Sequence, residues 1–237
     1  KNISYKMISK IKKILFRSDF KNYNKSYSQC GEDLLINYIF QLRGVTHPTY
    51  IDIGANHPFY INNTAIFYEK GCRGINIEAN PNLIEKFIES RPEDINLNIG
   101  IGAQESLLDF YLINDPTLSS FSKEECEKFI ATGKYHITNT IKVKLTTIQK
   151  ILDEYNNGIF PDFLTIDAEG MDLEILKTID YVNNAPKVIC VEAADYSPIG
   201  AGARRTELIN FLVTNRYYEY ANTNLNAIMV KNEFWFL

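Results

Sequence analysis

Four times along the chain a short β-favouring run breaks off at a carboxylate and passes into a helical pattern, and this repetition constrains the fold more than any other feature. The runs are Tyr50-Ile51-Asp52-Ile53, Gly74-Ile75-Asn76-Ile77-Glu78, Phe163-Leu164-Thr165-Ile166-Asp167 and Lys187-Val188-Ile189-Cys190-Val191-Glu192. Strands buried on both faces read as near-continuous apolar runs, and strands that alternate with helices assemble parallel sheets. The pattern therefore predicts an α/β fold, a doubly wound Rossmann-like sheet with helices on both faces.

The intervening segments follow the same logic. A helix is expected over about Gly31 to Gln41 behind the polar run Ser28 to Asp33, and another over Asn63 to Lys70 with Gly71 as its stop. Pro81 opens a helix that carries Leu83, Ile84, Phe87 and Ile88 on one face. Ile95 to Ile101 reads as a third strand, and Leu107 to Leu112 as a short fourth strand for a sheet edge. Asp115 to Thr138 reads as an insertion or lid with a helix at Lys123 to Ile130. Thr140 to Leu145 alternates like a strand, and Thr146-Thr147 caps a helix from Ile148 to Tyr155. Helices near Leu173 to Ile179 and Arg204 to Thr214 follow the last two acid-tipped strands, and Tyr217 to Asn222 with Ala227 to Lys231 form a terminal antiparallel hairpin.

With 237 residues, 45% of them hydrophobic, the chain can build one sizeable core, expected over 27–237 behind a basic extension or linker at 1–26. Its formal net charge of −4 gives no electrostatic case for nucleic acid as a partner. Cys30, Cys72, Cys126 and Cys190 lack the paired spacing of zinc sites or disulfide frameworks, so reduced thiols in a cytoplasmic protein are expected. No apolar run is long enough to span a bilayer. Met7, Ile8, Ile11, Ile14 and Leu15 recur at helical spacing beside Lys6, Lys10, Lys12 and Lys13. Two readings of that stretch stay open: peripheral contact with a membrane surface, or, favoured, a solvated helix docked on its own domain or serving as a linker. The sequence opens on Lys1, which reads as a trimmed terminus or as part of a larger polypeptide.

In an open parallel sheet, ligands bind outside the carboxyl ends of the strands, where the strand order reverses. One acid at a strand end is commonplace, but four on one edge call for a shared crevice. Glu78 follows Asp52 at the interval of one strand-helix-strand unit, so its carboxylate is placed to accept hydrogen bonds from both hydroxyls of a ribose. The turn Gly54-Ala55-Asn56 would let a ligand approach the backbone, because Gly54 has no Cβ. Asn56-His57-Pro58 stands where a dinucleotide fingerprint carries further glycines. A pyrophosphate is thus disfavoured, and a nucleoside carrying an amino acid, whose ammonium and ribose groups call for carboxylates, is favoured.

These residues form an ordered set that resembles the FkbM family of S-adenosylmethionine-dependent methyltransferases. The resemblance runs through Ser28-Gln29-Cys30-Gly31-Glu32-Asp33, Tyr50 to Asn56, Asn63-Thr64, Gly74 to Pro81 and Phe163-Leu164-Thr165-Ile166-Asp167-Ala168-Glu169-Gly170. It implies a seven-stranded sheet of the class I methyltransferase type, with the terminal hairpin inserted antiparallel. It also implies S-adenosylmethionine as cofactor: Asp52, Gly54 and Asn56 along its methionine and ribose, Glu78 on the ribose hydroxyls, and Ala79 with Gly100 and Ile101 against adenine. Gln29 and Glu32 would help close the pocket, although Glu32 and Asp33 fit equally well as helix-start acids. Many relatives methylate hydroxyls of sugars, polysaccharide precursors or natural products, so a small-molecule or glycan acceptor and O-methylation are the expectation.

An alcohol loses its proton as the new bond forms, so a base is required nearby. Asp167, Glu169 and Glu192 are the first candidates and His57 the next, although a loop histidine beside Pro58 has a structural explanation too. Asp167 also touches the cofactor in this scheme. Asp167 and Glu192 could converge on a hard cation such as magnesium, but no ligand spacing supports a metal site, and no metal is expected. Tyr60, Phe67, Tyr68 and Tyr111 fit an acceptor wall less well than ordinary core, and His47 and His136 carry no motif. Acceptor identity falls to Asp115 to Thr138 and Tyr196 to Arg205, where Arg204 and Arg205 beside glycines could receive a phosphate or carboxylate. N-methylation, a nucleotide-sugar or dinucleotide-dependent enzyme, and a non-catalytic binding module are the alternatives.

Overall fold

The computed structural model describes residues 24–168, 170–194 and 202–236. The basic amphipathic stretch, Glu169 and most of the Tyr196 to Arg205 loop therefore lie outside the described residues. Ten strands are described: β1 (Tyr50–Ile53), β2 (Gly74–Ile77), β3 (Ile95–Leu97), β4 (Gly100–Ile101), β5 (Ser106–Ile113), β6 (Ile137–Thr146), β7 (Phe163–Ile166), β8 (Val188–Glu192), β9 (Tyr217–Asn222) and β10 (Asn226–Lys231). The helices are α1 (Glu32–Leu42), α2 (Ala65–Glu69), α3 (Pro81–Ser90), α4 (Lys123–Ile130), α5 (Ile148–Tyr155), α6 (Asp172–Leu176), α7 (Thr206–Thr214) and α8 (Asn232–Phe236).

Seven strands make one sheet in the order β3-β2-β1-β7-β8-β10-β9. All neighbours from β3 to β8 are parallel, and β10 runs antiparallel between β8 and β9. This is the doubly wound sheet with an inserted C-terminal hairpin that the strand-helix alternation predicts. The chain winds outward from β1 to β3, then returns to β7 beside β1, so the order reverses between β1 and β7 and opens a crevice there.

The two faces follow from the two-residue period of the strands. Tyr50, Phe163, Val188, Cys190, Ile228 and Val230 pack with α1 and α2 on one face. Ile51, Ile53, Leu164, Ile166, Ile189 and Val191 pack with α5, α6 and α7 on the other. Asp52, two residues beyond Tyr50, consequently falls on the α1 and α2 side, against the loop that enters α2. Capping explains why α4 and α5 begin where they do. Ser122 Oγ accepts from the Glu125 N–H at 3.2 Å, and Thr147 Oγ1 accepts from the Lys150 N–H at 3.3 Å.

Two sequence expectations are corrected. The run Ile95 to Ile101 is not one strand: β3 belongs to the main sheet and β4 to a separate three-stranded sheet ordered β4-β6-β5. Asn98 turns the chain between them, donating from Nδ2 to the carbonyls of Glu78 at 2.8 Å and Ala79 at 3.0 Å. Leu107 to Leu112 is likewise no edge of the main sheet, because β5 pairs antiparallel with β6 along its whole length. The insertion between β5 and β6 then lies over the carboxyl ends of β1, β2 and β7, with a short 3-10 turn at Pro116–Leu118.

Candidate functional site

Beyond the carboxyl ends of these strands lie two adjoining cavities, an inner one enclosing about 600 Å³ of free space and an outer, wider one of about 1500 Å³, mouths included. Ile53, Gly54, Asn56, Thr117 and Asp167 line both.

The turn after β1 shapes the junction. Gly54 (φ +76°) and Asn56 (φ +56°) are both left-handed, which folds the backbone over the tip of β2, where Gly54 and Ala55 donate to the Ile77 carbonyl at 2.9 and 3.1 Å. Asn56 N–H then points at Glu78 and donates to Oε2 at 2.8 Å, while Asn80 N–H donates to Oε1 at 2.7 Å. Each Glu78 oxygen keeps a second lone pair for a ligand hydroxyl. Burial raises Glu78 to about 7 against the opposing pull of those amides, with a smaller upward push from Asp52. The space above Gly54 is not left for a ligand, as the sequence suggested. A Cβ at that position would stand 2.0 Å from the Asp167 carbonyl oxygen, so the close approach is between the tips of β1 and β7.

Asp52 is buried, and its Oδ2 accepts from Thr64 Oγ1 at 2.8 Å and Asn62 Nδ2 at 3.1 Å. Burial lifts it to about 6, opposed first by the Arg91 guanidinium. Asp167 reaches solvent through the crevice although protein surrounds it. That desolvation, then the Asp172 carboxylate, raises it to about 7, and Arg205 opposes the rise. Burial and Asp167 together raise Glu192, whose Oε2 lies 2.8 Å from Arg205 Nη2. Arg205 Nη1 also meets Asp172 Oδ2 at 3.0 Å, and Asp172 Oδ1 accepts from the Ala168 N–H at 2.8 Å. This clamp fixes the β7 and β8 ends side by side.

The described residues that line the two cavities include four carboxylates, Asp52, Glu78, Asp167 and Glu192, and no lysine, arginine or histidine. Their shared upward shifts express first the cost of burying carboxylates, with a smaller contribution from neighbouring acids that Arg91 and Arg205 only partly oppose. A cationic ligand would relieve that cost.

Most of the sequence candidates meet here. Glu78, Ala79, Gly100 and Ile101 line the inner cavity, Gln29, Asp52 and Glu192 the outer one, and Gly54, Asn56 and Asp167 both. Glu32 lines neither. It braces the start of α1 to the β9–β10 turn, accepting from Thr223 Oγ1 at 2.7 Å, Asn226 Nδ2 at 3.0 Å and the Cys30 N–H at 2.8 Å. Burial pushes its carboxyl up, but these hydrogen bonds outweigh it and hold the group below its ordinary value. His57 also stands outside both linings. Its Nδ1 accepts from the Phe59 N–H at 3.2 Å and its ring meets Tyr60 edge-on at 6.2 Å, while burial and Lys86 lower its pKa.

Tyr60, Phe67, Tyr68 and Tyr111 line neither cavity, and Phe67 is core, against Phe40 and Phe163. Arg205 is engaged by Glu192 and Asp172, and Arg204 forms a short ion pair with Glu219. No group of three or more His, Cys, Asp or Glu side chains among the described residues is placed to hold a metal ion.

Sequence reasoning missed the inner cavity's apolar wall, where Phe110 and Phe121 pack at 4.7 Å between centroids and Met171 joins them. It also missed Arg91, Asn62 and Ile61. Ile61 lines the outer cavity at φ +50°, a conformation that β-branched residues rarely adopt, and is 37% exposed. Ile61→Gly should raise the unfolding free energy by about 0.5 to 1 kcal/mol, because release of left-handed strain exceeds the added chain entropy. A lower melting temperature for that variant would show that Ile61's packing outweighs its strain.

The family model described as the methyltransferase FkbM domain matches residues 52–220. No curated protein matches. Among solved structures, a Burkholderia thailandensis 1,6-didemethyltoxoflavin-N1-methyltransferase with bound 1,6-didemethyltoxoflavin and S-adenosylhomocysteine aligns at 8% identity over 97% of this chain and 90% of that chain, with a TM-score of 0.42. An O-methyltransferase from Bacillus cereus in complex with S-adenosylhomocysteine aligns at 11% identity over 96% and 92%, with a TM-score of 0.37.

Proposed function

The chain belongs to the methyltransferase FkbM domain family, and on that premise we propose that its inner cavity holds the adenosine of S-adenosylmethionine and its outer cavity a hydroxyl-bearing acceptor, a sugar, polysaccharide precursor or related small molecule, which is methylated on oxygen. The observation that carries this reading is the set of four carboxylates around two joined cavities with no cation among the described lining residues. S-adenosylmethionine, when bound, brings a sulfonium, an ammonium and a transferable methyl group.

The residues fit that group from end to end. Ala79, Ile101, Phe110 and Phe121 offer an apolar slot for adenine, and Glu78, with both oxygens clamped by backbone amides, offers its remaining lone pairs to two adjacent ribose hydroxyls. Asp52, in the outer cavity, faces the amino-acid end. Asp167 lines both cavities and therefore stands where the methyl donor and the acceptor oxygen meet. Raised to about 7, it is matched to accept the acceptor's hydroxyl proton near neutral pH. A neutral amine would need no such base, which favours a hydroxyl acceptor. The amide and hydroxyl side chains of Gln29, Asn63, Thr165 and Asn226 around the outer cavity suit an uncharged, hydroxylated molecule. Buried, unbridged Cys72 and Cys190 support a reducing, cytoplasmic setting. Among the described residues no helix is long and apolar enough to cross a membrane.

Isothermal titration with S-adenosylhomocysteine tests the reading, with NADH and a nucleotide sugar as controls. Saturable binding of the first alone is expected, and tight binding of a control in its place would overturn the assignment. The carboxylates add a pH signature. Asp52, raised to about 6, must lose its proton to pair with the ligand's ammonium, and Glu78, raised to about 7, must lose its own to accept from both ribose hydroxyls. Affinity for S-adenosylmethionine should therefore rise between pH 5.5 and 8, by up to about tenfold per pH unit for each proton released. An affinity that falls over that range would contradict the placement.

A further inference from the structure

Arg91, just past the end of α3, is the largest fully buried side chain among the described residues. Its Nε and Nη2 meet Asp94 Oδ2 at 2.9 and 2.8 Å, and Nη2 also donates to the Tyr50 hydroxyl at 2.9 Å. That ion pair accounts for only part of the guanidinium. Nη1 reaches the Pro58 carbonyl at 3.4 Å and Asn62 Oδ1 at 3.3 Å, and both Nη1 and Nη2 lie 3.1 Å from Thr64 Oγ1.

Arginine only donates, so it dictates the orientation of whatever accepts from it. Asn62 must present Oδ1 to Arg91, and the backbone N–H groups of Thr64 and Ala65, at 3.0 and 2.8 Å, enforce the same choice. Its Nδ2 is thereby turned towards Asp52 Oδ2 at 3.1 Å. Thr64 Oγ1 accepts from Arg91 and so has its proton to give, to the same Oδ2 at 2.8 Å or to Asn62 Oδ1 at 3.0 Å, the shorter contact being with Asp52. Two donors thus converge on one oxygen of Asp52, which lines the outer cavity.

We propose that Arg91 is a positioning residue for the amino-acid end of the cofactor, acting through Thr64 and Asn62 to hold the Asp52 carboxylate in one orientation. The inference rests on the cofactor reading above. It also explains why a permanently charged side chain is buried next to the crevice without touching it. The guanidinium opposes the desolvation of Asp52, with Asp94, Glu78 and Asp167 as the other charged groups around that carboxylate.

The test compares two ligands of the full chain, S-adenosylhomocysteine and 5′-methylthioadenosine, which lacks the amino-acid end, in wild type, Arg91→Lys, Thr64→Val and Thr64→Ser. Arg91→Lys and Thr64→Val should weaken S-adenosylhomocysteine on the order of tenfold while leaving 5′-methylthioadenosine within about twofold, and Thr64→Ser should restore the wild-type ratio. Thr64→Val keeps the buried ion pair and carries the test should Arg91→Lys fail to fold. Parallel losses for both ligands, or an unchanged ratio, would reduce Arg91 to a structural residue and overturn the proposal. Wild type binding neither ligand would instead bring down the cofactor reading beneath it.

Discussion

Gly54→Ala is expected to cost roughly 2 to 5 kcal/mol of stability and to abolish binding of S-adenosylhomocysteine at concentrations that saturate wild type. Two effects combine at this position. The backbone is left-handed at φ +76°, which an L side chain adopts at a cost of about 1 to 2 kcal/mol. The new methyl would also stand 2.0 Å from the Asp167 carbonyl oxygen, so the tips of β1 and β7 must part. Asp167 donates from its backbone to the Ile53 carbonyl at 2.9 Å, and that bond would be lost with the movement. Since a domain is stable by only about 5 to 15 kcal/mol, the variant would be severely weakened. Gly71→Ala supplies the control, because Gly71 has φ +85° but open space where a Cβ would stand. It should lose only the conformational part. Equal melting temperatures for the two variants would show that the contact with Asp167 is not tight.

The central strands were legible because burial on both faces leaves a local mark, a near-continuous apolar run, which β8 carries up to Glu192 and β1, β2 and β7 carry with one polar residue each, Asp52, Asn76 and Thr165. The bounds of α4 and α5 were legible for a similar reason, since Ser122 and Thr147 act within a turn of where they stand. What escaped was decided at long range. Ile95 to Ile101 alternates without interruption, and only the carbonyls of Glu78 and Ala79, some twenty residues earlier, explain why Asn98 turns the chain out of the sheet. The three-stranded sheet has no signature of its own, because β5 and β6 each read as strands but their pairing does not.

The site divides along the same line. Acids at strand ends can be read one residue at a time, and so can the need for glycine after β1. Which neighbour requires that glycine cannot, because Asp167 comes next to Gly54 only once β7 has paired with β1. Arg91 is the extreme case. A fully buried arginine runs against the ordinary distribution of the residue, and its reason for being there is assembled from Tyr50, Asn62, Thr64 and Asp94, all outside its own helix. For Arg204 and Arg205 the converse holds: the sequence shows two cations beside glycines but not the carboxylates that engage them.

Asp167→Asn should lower kcat by about 10² to 10⁴, with any acceptor that the wild-type enzyme methylates, while changing affinity for S-adenosylhomocysteine less than tenfold. Asparagine keeps the shape and a hydrogen-bonding oxygen but cannot take up the hydroxyl proton. The contrast with Glu192 gives the prediction its content. Glu192 is joined at 2.8 Å to Arg205, which is itself held by Asp172, so its charge is already answered within the protein. Among the described residues Asp167 makes no ion pair as close as this one, with Arg205 acting on it only as a nearby charge, and it lines both cavities. The sign of the pH effect follows: the base form of Asp167 exists above its raised pKa, so wild-type kcat should climb through about pH 7 and then level off. In Asp167→Asn that step should vanish, whereas Glu192→Gln should retain it. A pH step that survives in Asp167→Asn and disappears in Glu192→Gln would move the base to β8 and leave Asp167 as a cofactor contact alone.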